Sequence, residues 1–187
     1  MVTKALFAVG SNAASPAGSP SLTILSSFSA ANNDSFAVLA KSRLFETPAF
    51  PPGNGPAFVN AAVVAETTLS PEACLAHLHA IEAAHGRERS VRWGPRTLDL
   101  DLIGWGDAVR PDRPTWRRWA RLSPESAARE TPEELILPHP RLAERAFVLV
   151  PLLDVAPDWV HPVTGLTVAE MAAALAESAR AEVKPLS

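Results

Sequence analysis

The chain has 187 residues, 47% of them hydrophobic, with 17 Lys and Arg against 20 Asp and Glu. That length and apolar content suit one domain with a proper core, and the net charge of -3 argues against a nucleic-acid binder that works by bulk charge. The single Cys74 allows no internal disulfide and fits a reducing compartment. No apolar run is long enough for a membrane span, and the run ending at Val9 is too short for a signal sequence. A cytoplasmic location is therefore expected.

In chain order, Ala5 to Val9 predicts a short strand closed by the turn Gly10-Ser11-Asn12. The turn lacks the Gly-Lys-Ser/Thr ending of a phosphate loop. Leu22, Leu25 and Phe28 recur at helical spacing and predict a helix to about Ala31. Phe36 to Phe45 predicts a strand with Phe36, Val38 and Ala40 on one face. Thr47 to Phe58 is rich in Pro and Gly and predicts a loop, either a plain surface connection or a functional, closing one. The next strand, Phe58 to Thr67, is interrupted by Asn60, whose amide serves either a structural hydrogen bond or a ligand. Ser70-Pro71-Glu72 is a helix start with a serine cap, Leu75, Leu78 and Ile81 form its inward stripe, and Gly86 ends it. Cys74 reads as a small packing residue on that helix. Glu82 lies beside the stripe, where a carboxylate needs a partner, either an arginine or a group at a ligand. His77 and His79 are two apart, face different ways, and make no metal pair.

Gly86 to Gly94 predicts a second, charged loop carrying Arg87, Arg89 and Arg92, with Trp93 either folded on the core or closing over a ligand. Leu98 to Ile103 then alternates apolar and acidic residues, the period of a half-buried strand. Leu98, Leu100 and Leu102 would face the core, with Asp99 and Asp101 together on the opposite face. Such a pair is either a solvated strand face or a site for a hard cation such as Mg²⁺. Arg92 and Arg96 beside it are either surface charges or forks for phosphate oxygens. Gly104-Trp105-Gly106-Asp107 predicts a hairpin-like turn. The stretch after it, within an insertion at about 105–134, reads as irregular and basic, with Arg110, Arg113, Arg117, Arg118, Arg121, Trp116 and Trp119. Leu135 to Leu137 predicts a return to strand, Arg145 to Val150 starts another element of a strand-and-helix tail, and Val168 to Ala181 predicts a terminal helix. This order gives an α+β fold, a ferredoxin-like split βαβ sandwich whose antiparallel sheet has helices packed on its faces, in a single domain over 1–187.

The run from Arg92 to Ile103, RWGPRTLDLDLI, resembles the signature of the 6-hydroxymethyl-7,8-dihydropterin pyrophosphokinases of folate synthesis. The similarity extends from Ala8-Val9-Gly10-Ser11-Asn12 to Pro151-Leu152 and weakens between Gly104 and Glu134 and after Pro157. The resemblance implies the same fold and a reaction in which ATP gives its β,γ-diphosphate to the hydroxymethyl group of the pterin, releasing AMP. It implies Arg87, Arg96, Asp99 and Asp101 as catalytic residues, with Asp99 and Asp101 holding two Mg²⁺ ions. Glu82, Trp93, Arg96, His139 and Arg145 match ATP-contacting positions; Thr47, Pro48, Phe50, Phe58, Asn60 and Phe147 match the pterin pocket. Expected partners are these two small molecules, with neither nucleic acid nor membrane. The chain departs from the pattern at Phe58, often a tyrosine, at Glu134, where a basic ATP contact can stand, and at His79, where a glutamine can. For the insertion, the alternatives are solvated decoration, or an anchor at Trp116 and Trp119 with an arginine replacing the contact missing at Glu134. Another metal-dependent phosphotransferase or nuclease, and an RNA-binding module using the arginine clusters, are the rival readings of the whole chain.

Overall fold

Strand β1 (Thr3–Ser11) is buried from Ala5 onward because both of its faces are covered, and the rest of the fold is laid out around it. The computed structural model describes residues 1–49, 55–87 and 96–186. After β1 come α1 (Pro20–Ala30), β2 (Phe36–Lys41), β3 (Phe45–Thr47), β4 (Phe58–Thr67), α2 (Pro71–Ala84) and β5 (Asp99–Trp105). Then follow α3 (Arg113–Ala120), α4 (Pro124–Arg129), a single 3₁₀ turn (Leu142–Glu144), α5 (Ala146–Leu153), α6 (Val168–Ala174), α7 (Glu177–Ala181) and β6 (Lys184–Pro185). The six strands form one sheet in the order β5-β1-β4-β3-β6, with β2 also on β4, and every pairing is antiparallel. This is the split βαβ arrangement expected from the sequence. No helix among the described residues is long and apolar enough to cross a membrane.

The pleat sends alternate residues of each strand to opposite faces. One face, with Phe7, Val9, Ala61, Val63, Leu98, Leu100 and Leu102, packs against Ile24 and Phe28 of α1 and Cys74, Leu78 and Ile81 of α2. The other, with Leu6, Ala8, Ala62, Val64 and Ile103, packs against Val148, Leu149 and Leu152 of α5 and Val168 and Met171 of α6. Burial pushes the Cys74 thiol up to about 12, so it stays protonated and acts as a small packing group. Helix α2 starts at Ser70, whose side chain accepts from the Ala73 N–H, and it gives way at Gly86, where φ is +77°.

Several elements differ from the sequence expectation. Leu22 and Leu25 of α1 are 54% and 47% exposed, while Thr23 and Ser27 are buried in their place. Their hydroxyls bond the Ser19 and Ile24 carbonyls of the same helix, so burying them leaves no polar group unpaired. The strand expected over Phe36 to Phe45 breaks into β2 and β3, and Ser42 Oγ takes the Ala62 N–H at the break. The turn expected at 104–107 is shorter, because β5 runs through Trp105. The insertion is not irregular: α3 is capped by Asp112 and α4 by Ser123. Leu135 to Leu137 makes only an isolated bridge, between Leu137 and Arg110. Phe147 to Val150 is helical in α5, despite its strand-like composition, because Val148, Leu149 and Leu152 lie on the one face that meets the sheet. The terminal helix is two, parted by an extended Leu175 (ψ 147°).

Candidate active site

A cleft of about 690 Å³ opens at the end of the sheet, on the face that α5 and α6 cover only in part. Ile103 of β5 lies under α5, but Asp101 and Asp99, next on the same face, lie beyond it and line the cleft. Leu98, Leu100 and Leu102 are at most 4% exposed in the opposite core, as the alternation predicts. Across the sheet, Gly10 of β1 is paired with Asp99 on one side and with Asn60 of β4 on the other. Strand spacing therefore sets the acidic end and the amide end roughly 10 Å apart. Gly10 makes the floor between them: a Cβ there would lie 3.1 Å from Asn60 Oδ1. Asn60 is 5% exposed and its amide nitrogen donates to Thr47 Oγ1 at 2.7 Å. Thr47, Pro48, Phe58, Asn60 and Phe147 all line this end, with Phe147 40% exposed, as an aromatic wall.

The acidic end is a chain of charges. Glu82 of α2 is 1% exposed, and its Oε1 accepts the Leu100 N–H at 2.7 Å. Because β5 is the edge of the sheet, that N–H has no strand partner, and Glu82 supplies one. Glu82 also pairs with Arg87, which reaches Asp99 Oδ1 at 2.6 Å, and Arg96 pairs with Asp99 Oδ2. Arg145 Nη1 is 3.1 Å from Asp101 Oδ2. Asn12 accepts the Arg96 N–H at 2.8 Å and donates to the Pro56 carbonyl at 3.3 Å, joining the described flanks of both loops. His139 is fixed by its backbone N–H, which donates to the Ile103 carbonyl (2.8 Å), and by ring Nδ1, which accepts the Arg141 backbone N–H (3.2 Å). Burial and the nearby Arg145 guanidinium hold its pKa well below the ordinary histidine value, so the ring is neutral at pH 7.

Of the residues expected at the site, Arg87, Arg96, Asp99, Asp101, His139, Arg145, Thr47, Pro48, Phe58, Asn60 and Phe147 line one cleft. Glu82 is not among the lining residues; it stands behind Arg87 and β5. Phe50 and Trp93, with most of the two expected loops, fall in 50–54 and 88–95, outside the described residues. Arg141 and Glu144 line the cleft without having been singled out from the sequence. The signal was present in the run His139-Pro140-Arg141, a cation beside an expected ligand residue. Trp116 anchors the insertion, being 7% exposed, whereas Trp119 lies half-buried beneath Arg118. None of Arg110, Arg113, Arg117, Arg118 and Arg121 lines the cleft.

Comparison with known proteins bears on this cleft. The family whose model matches residues 6–157 is described as 7,8-dihydro-6-hydroxymethylpterin-pyrophosphokinase (HPPK). The chain belongs to this family. It is 39% identical over 138 residues to the 2-amino-4-hydroxy-6-hydroxymethyldihydropteridine pyrophosphokinase of Methylorubrum extorquens, covering 74% of this chain and 73% of that one. Against the protein of the same name from Synechocystis it is 40% identical, covering 70% of this chain and 56% of that one. Against the folic acid synthesis protein fol1 of Pneumocystis carinii it is 39% identical over 71% of this chain but only 15% of the relative. The chain thus spans between a seventh and three quarters of these relatives. Among solved structures, the HPPK-DHPS of Plasmodium falciparum with pteroate superposes with a TM-score of 0.64 over 92% of this chain and 42% of that one, at 15% identity. That likeness bears on the fold alone.

Proposed function

We propose that the chain transfers the β,γ-diphosphate of ATP to 6-hydroxymethyl-7,8-dihydropterin, in the cytoplasm, as one catalytic unit over 1–187. The observation that carries this reading is one cleft with Asp99 and Asp101, ringed by Arg87, Arg96 and Arg145, at one end and an amide and aromatic wall at the other. The names of its family and of its relatives, pyrophosphokinases of a hydroxymethyldihydropterin, support the same reading.

In the reaction, the hydroxymethyl oxygen bonds to the β-phosphorus, the bond from that phosphorus to the α,β-bridging oxygen breaks, AMP leaves, and the hydroxyl proton passes to water. Catalysis of this kind rests on positioning and on charge neutralisation. Asn60, with Thr47 behind it, would read the donor and acceptor edge of the pterin, and Phe58 and Phe147 would cover its faces. Neutral His139, with Arg145 and Arg96, would take the nucleotide.

Two Mg²⁺ ions fit the residues present. Asp99 and Asp101 offer hard oxygens on one strand face, and no group of three or more His, Cys, Asp or Glu among the described residues could enclose a metal. Two carboxylates completed by substrate phosphates is the arrangement Mg²⁺ favours. Bound there, Mg²⁺ would neutralise phosphate charge. In the structure, Asp99 and Asp101 are neutralised by Arg87, Arg96 and Arg145. With a cation on the carboxylates, Arg87, Arg96 and Arg145 would exchange a carboxylate oxygen for a phosphate oxygen.

The test is AMP formation from ATP in the presence of the pterin and Mg²⁺. Asp99→Asn and Asp101→Asn should each lower it by about a thousandfold, as removal of charge stabilisation does elsewhere, while both variants still fold, Asp99→Asn with some loss of stability because Arg87 and Arg96 lose a partner. Near-parental turnover in both folded variants would sink the assignment of the carboxylates.

A further inference from the structure

Arg141 is a cation in the cleft that lacks a carboxylate of β5. Arg87, Arg96 and Arg145 each face Asp99 or Asp101, whereas Arg141 is held by Glu144 of its own turn, with Nη2 at 2.6 Å and Nε at 2.9 Å from Oε2. Both members of that pair line the cleft, and their side chains are 31% and 55% exposed. A guanidinium parked on a rim carboxylate can exchange it for a phosphate oxygen at little cost, because both acceptors suit the same fork. Glu134, where the family pattern allows a basic contact, is exposed and does not line the cleft.

The turn that carries Arg141 is fixed from behind by the insertion. Trp116 of α3 donates its indole N–H to the Pro138 carbonyl at 2.7 Å, in a buried bond. Its ring stands edge-on to His161 at 5.1 Å, and Arg113 donates to the Pro162 carbonyl at 2.8 Å. Arg110 and Leu137 exchange backbone bonds of 2.8 and 3.2 Å, and the Leu142 N–H closes the turn on the His139 carbonyl. The segment from Pro138 to Arg141 is thus clamped between β5 and α3. The insertion supplies no arginine to the cleft itself.

We propose that Arg141 is a further residue contacting the nucleotide phosphates, and that Trp116 is a positioning residue that acts on it through the Pro138 carbonyl. This rests on the reading of the cleft as an ATP site. Steady-state kinetics with both substrates, and equilibrium binding of a non-hydrolysable ATP analogue with Mg²⁺, test it. Arg141→Ala should raise KM for ATP and Kd for the analogue about tenfold, the usual worth of one charge-assisted bond, leaving KM for the pterin unchanged. Arg141→Lys should restore part of the loss. Trp116→Phe keeps the ring against His161 but removes the donor, and should raise the same two constants by about threefold, at the low end for a hydrogen bond. The two effects should not add in the double variant, since one acts through the other. Arg118→Ala, whose side chain pairs with Glu130 away from the cleft, should change nothing. If the parent makes no AMP, the functional reading fails before this one is reached. An active parent with unchanged ATP constants in Arg141→Ala overturns the role of Arg141, and additive losses in a folded double variant overturn the link to Trp116. Should Trp116→Phe not fold, Arg141→Ala and Arg141→Lys decide the phosphate contact by themselves.

Discussion

Glu82 shows how a single residue can hold a site it does not line. Its carboxylate satisfies the free N–H of Leu100 on the sheet edge and carries the charge opposite Arg87, which in turn meets Asp99. Glu82→Gln keeps an acceptor for Leu100 but leaves Arg87 with Asp99 alone as an anion among the described residues. Breaking a buried pair costs about 3–5 kcal/mol, and the residual partner of Arg87 reduces this to about 2 kcal/mol. Urea unfolding should show that loss, and turnover should fall because Arg87 and Asp99 are no longer held in register. A variant as stable and active as the parent would show that Glu82 has no such positioning role. At this scale, the Asp alternation was legible because its period is local, and so was the need of Glu82 for a partner. An arginine partner was among the expectations and Arg87 meets it, but the Leu100 N–H was not legible, since an edge N–H becomes free only once the strand order is known. Arg141 had only its place beside His139 to mark it, and a rim cation and a solvated one share that signal.

Helix α2 followed the sequence because its cap and its closing glycine set it, at Ser70-Pro71 and Gly86. Other elements departed where tertiary packing chose the face or where a cap was masked. In α1, small hydroxyl residues that bond their own backbone face the sheet and leave Leu22 and Leu25 outside, which apolar periodicity cannot foresee. In the insertion, Asp112 and Ser123 were readable as caps, yet the density of Arg and Pro masked them. The segments around His139 and His161, which α3 joins, carry a pH dependence. Both rings are held below the ordinary histidine pKa, chiefly by burial, with Arg145 adding to the effect at His139 and Asp99 opposing it. At high pH the rings are neutral in folded and unfolded chains alike. As pH falls through about 6.5, the unfolded chain takes up protons that the folded one does not, so stability drops with falling pH. The melting temperature should therefore decrease from about pH 7.5 to about pH 5.5, and less steeply in His139→Asn, whose amide oxygen can still accept the Arg141 N–H. Equal slopes in the two proteins would remove His139 from this account.

Across the whole molecule, the sheet order brings together residues far apart in the chain. Gly10, Asn60 and Asp99 meet in one row because β1 lies between β4 and β5, and α5 then lays Arg145 and Phe147 over the same row. The alternation of elements made this topology legible, since a split βαβ order leaves few ways to arrange four main strands. Where α5 stops covering the sheet was not legible, and that edge makes the cleft. The small residues Ala8 and Gly10 keep its floor open between the acidic end and the amide end. In the proposed reaction two phosphoryl groups move together from a nucleotide held at one end to a hydroxymethyl group held at the other. Mass spectrometry and phosphorus NMR of the products formed from ATP, Mg²⁺ and 6-hydroxymethyl-7,8-dihydropterin test this most directly. AMP and the pterin diphosphate should appear in equal amounts. ADP with a pterin monophosphate, or nucleotide hydrolysis that proceeds equally without the pterin, would contradict it.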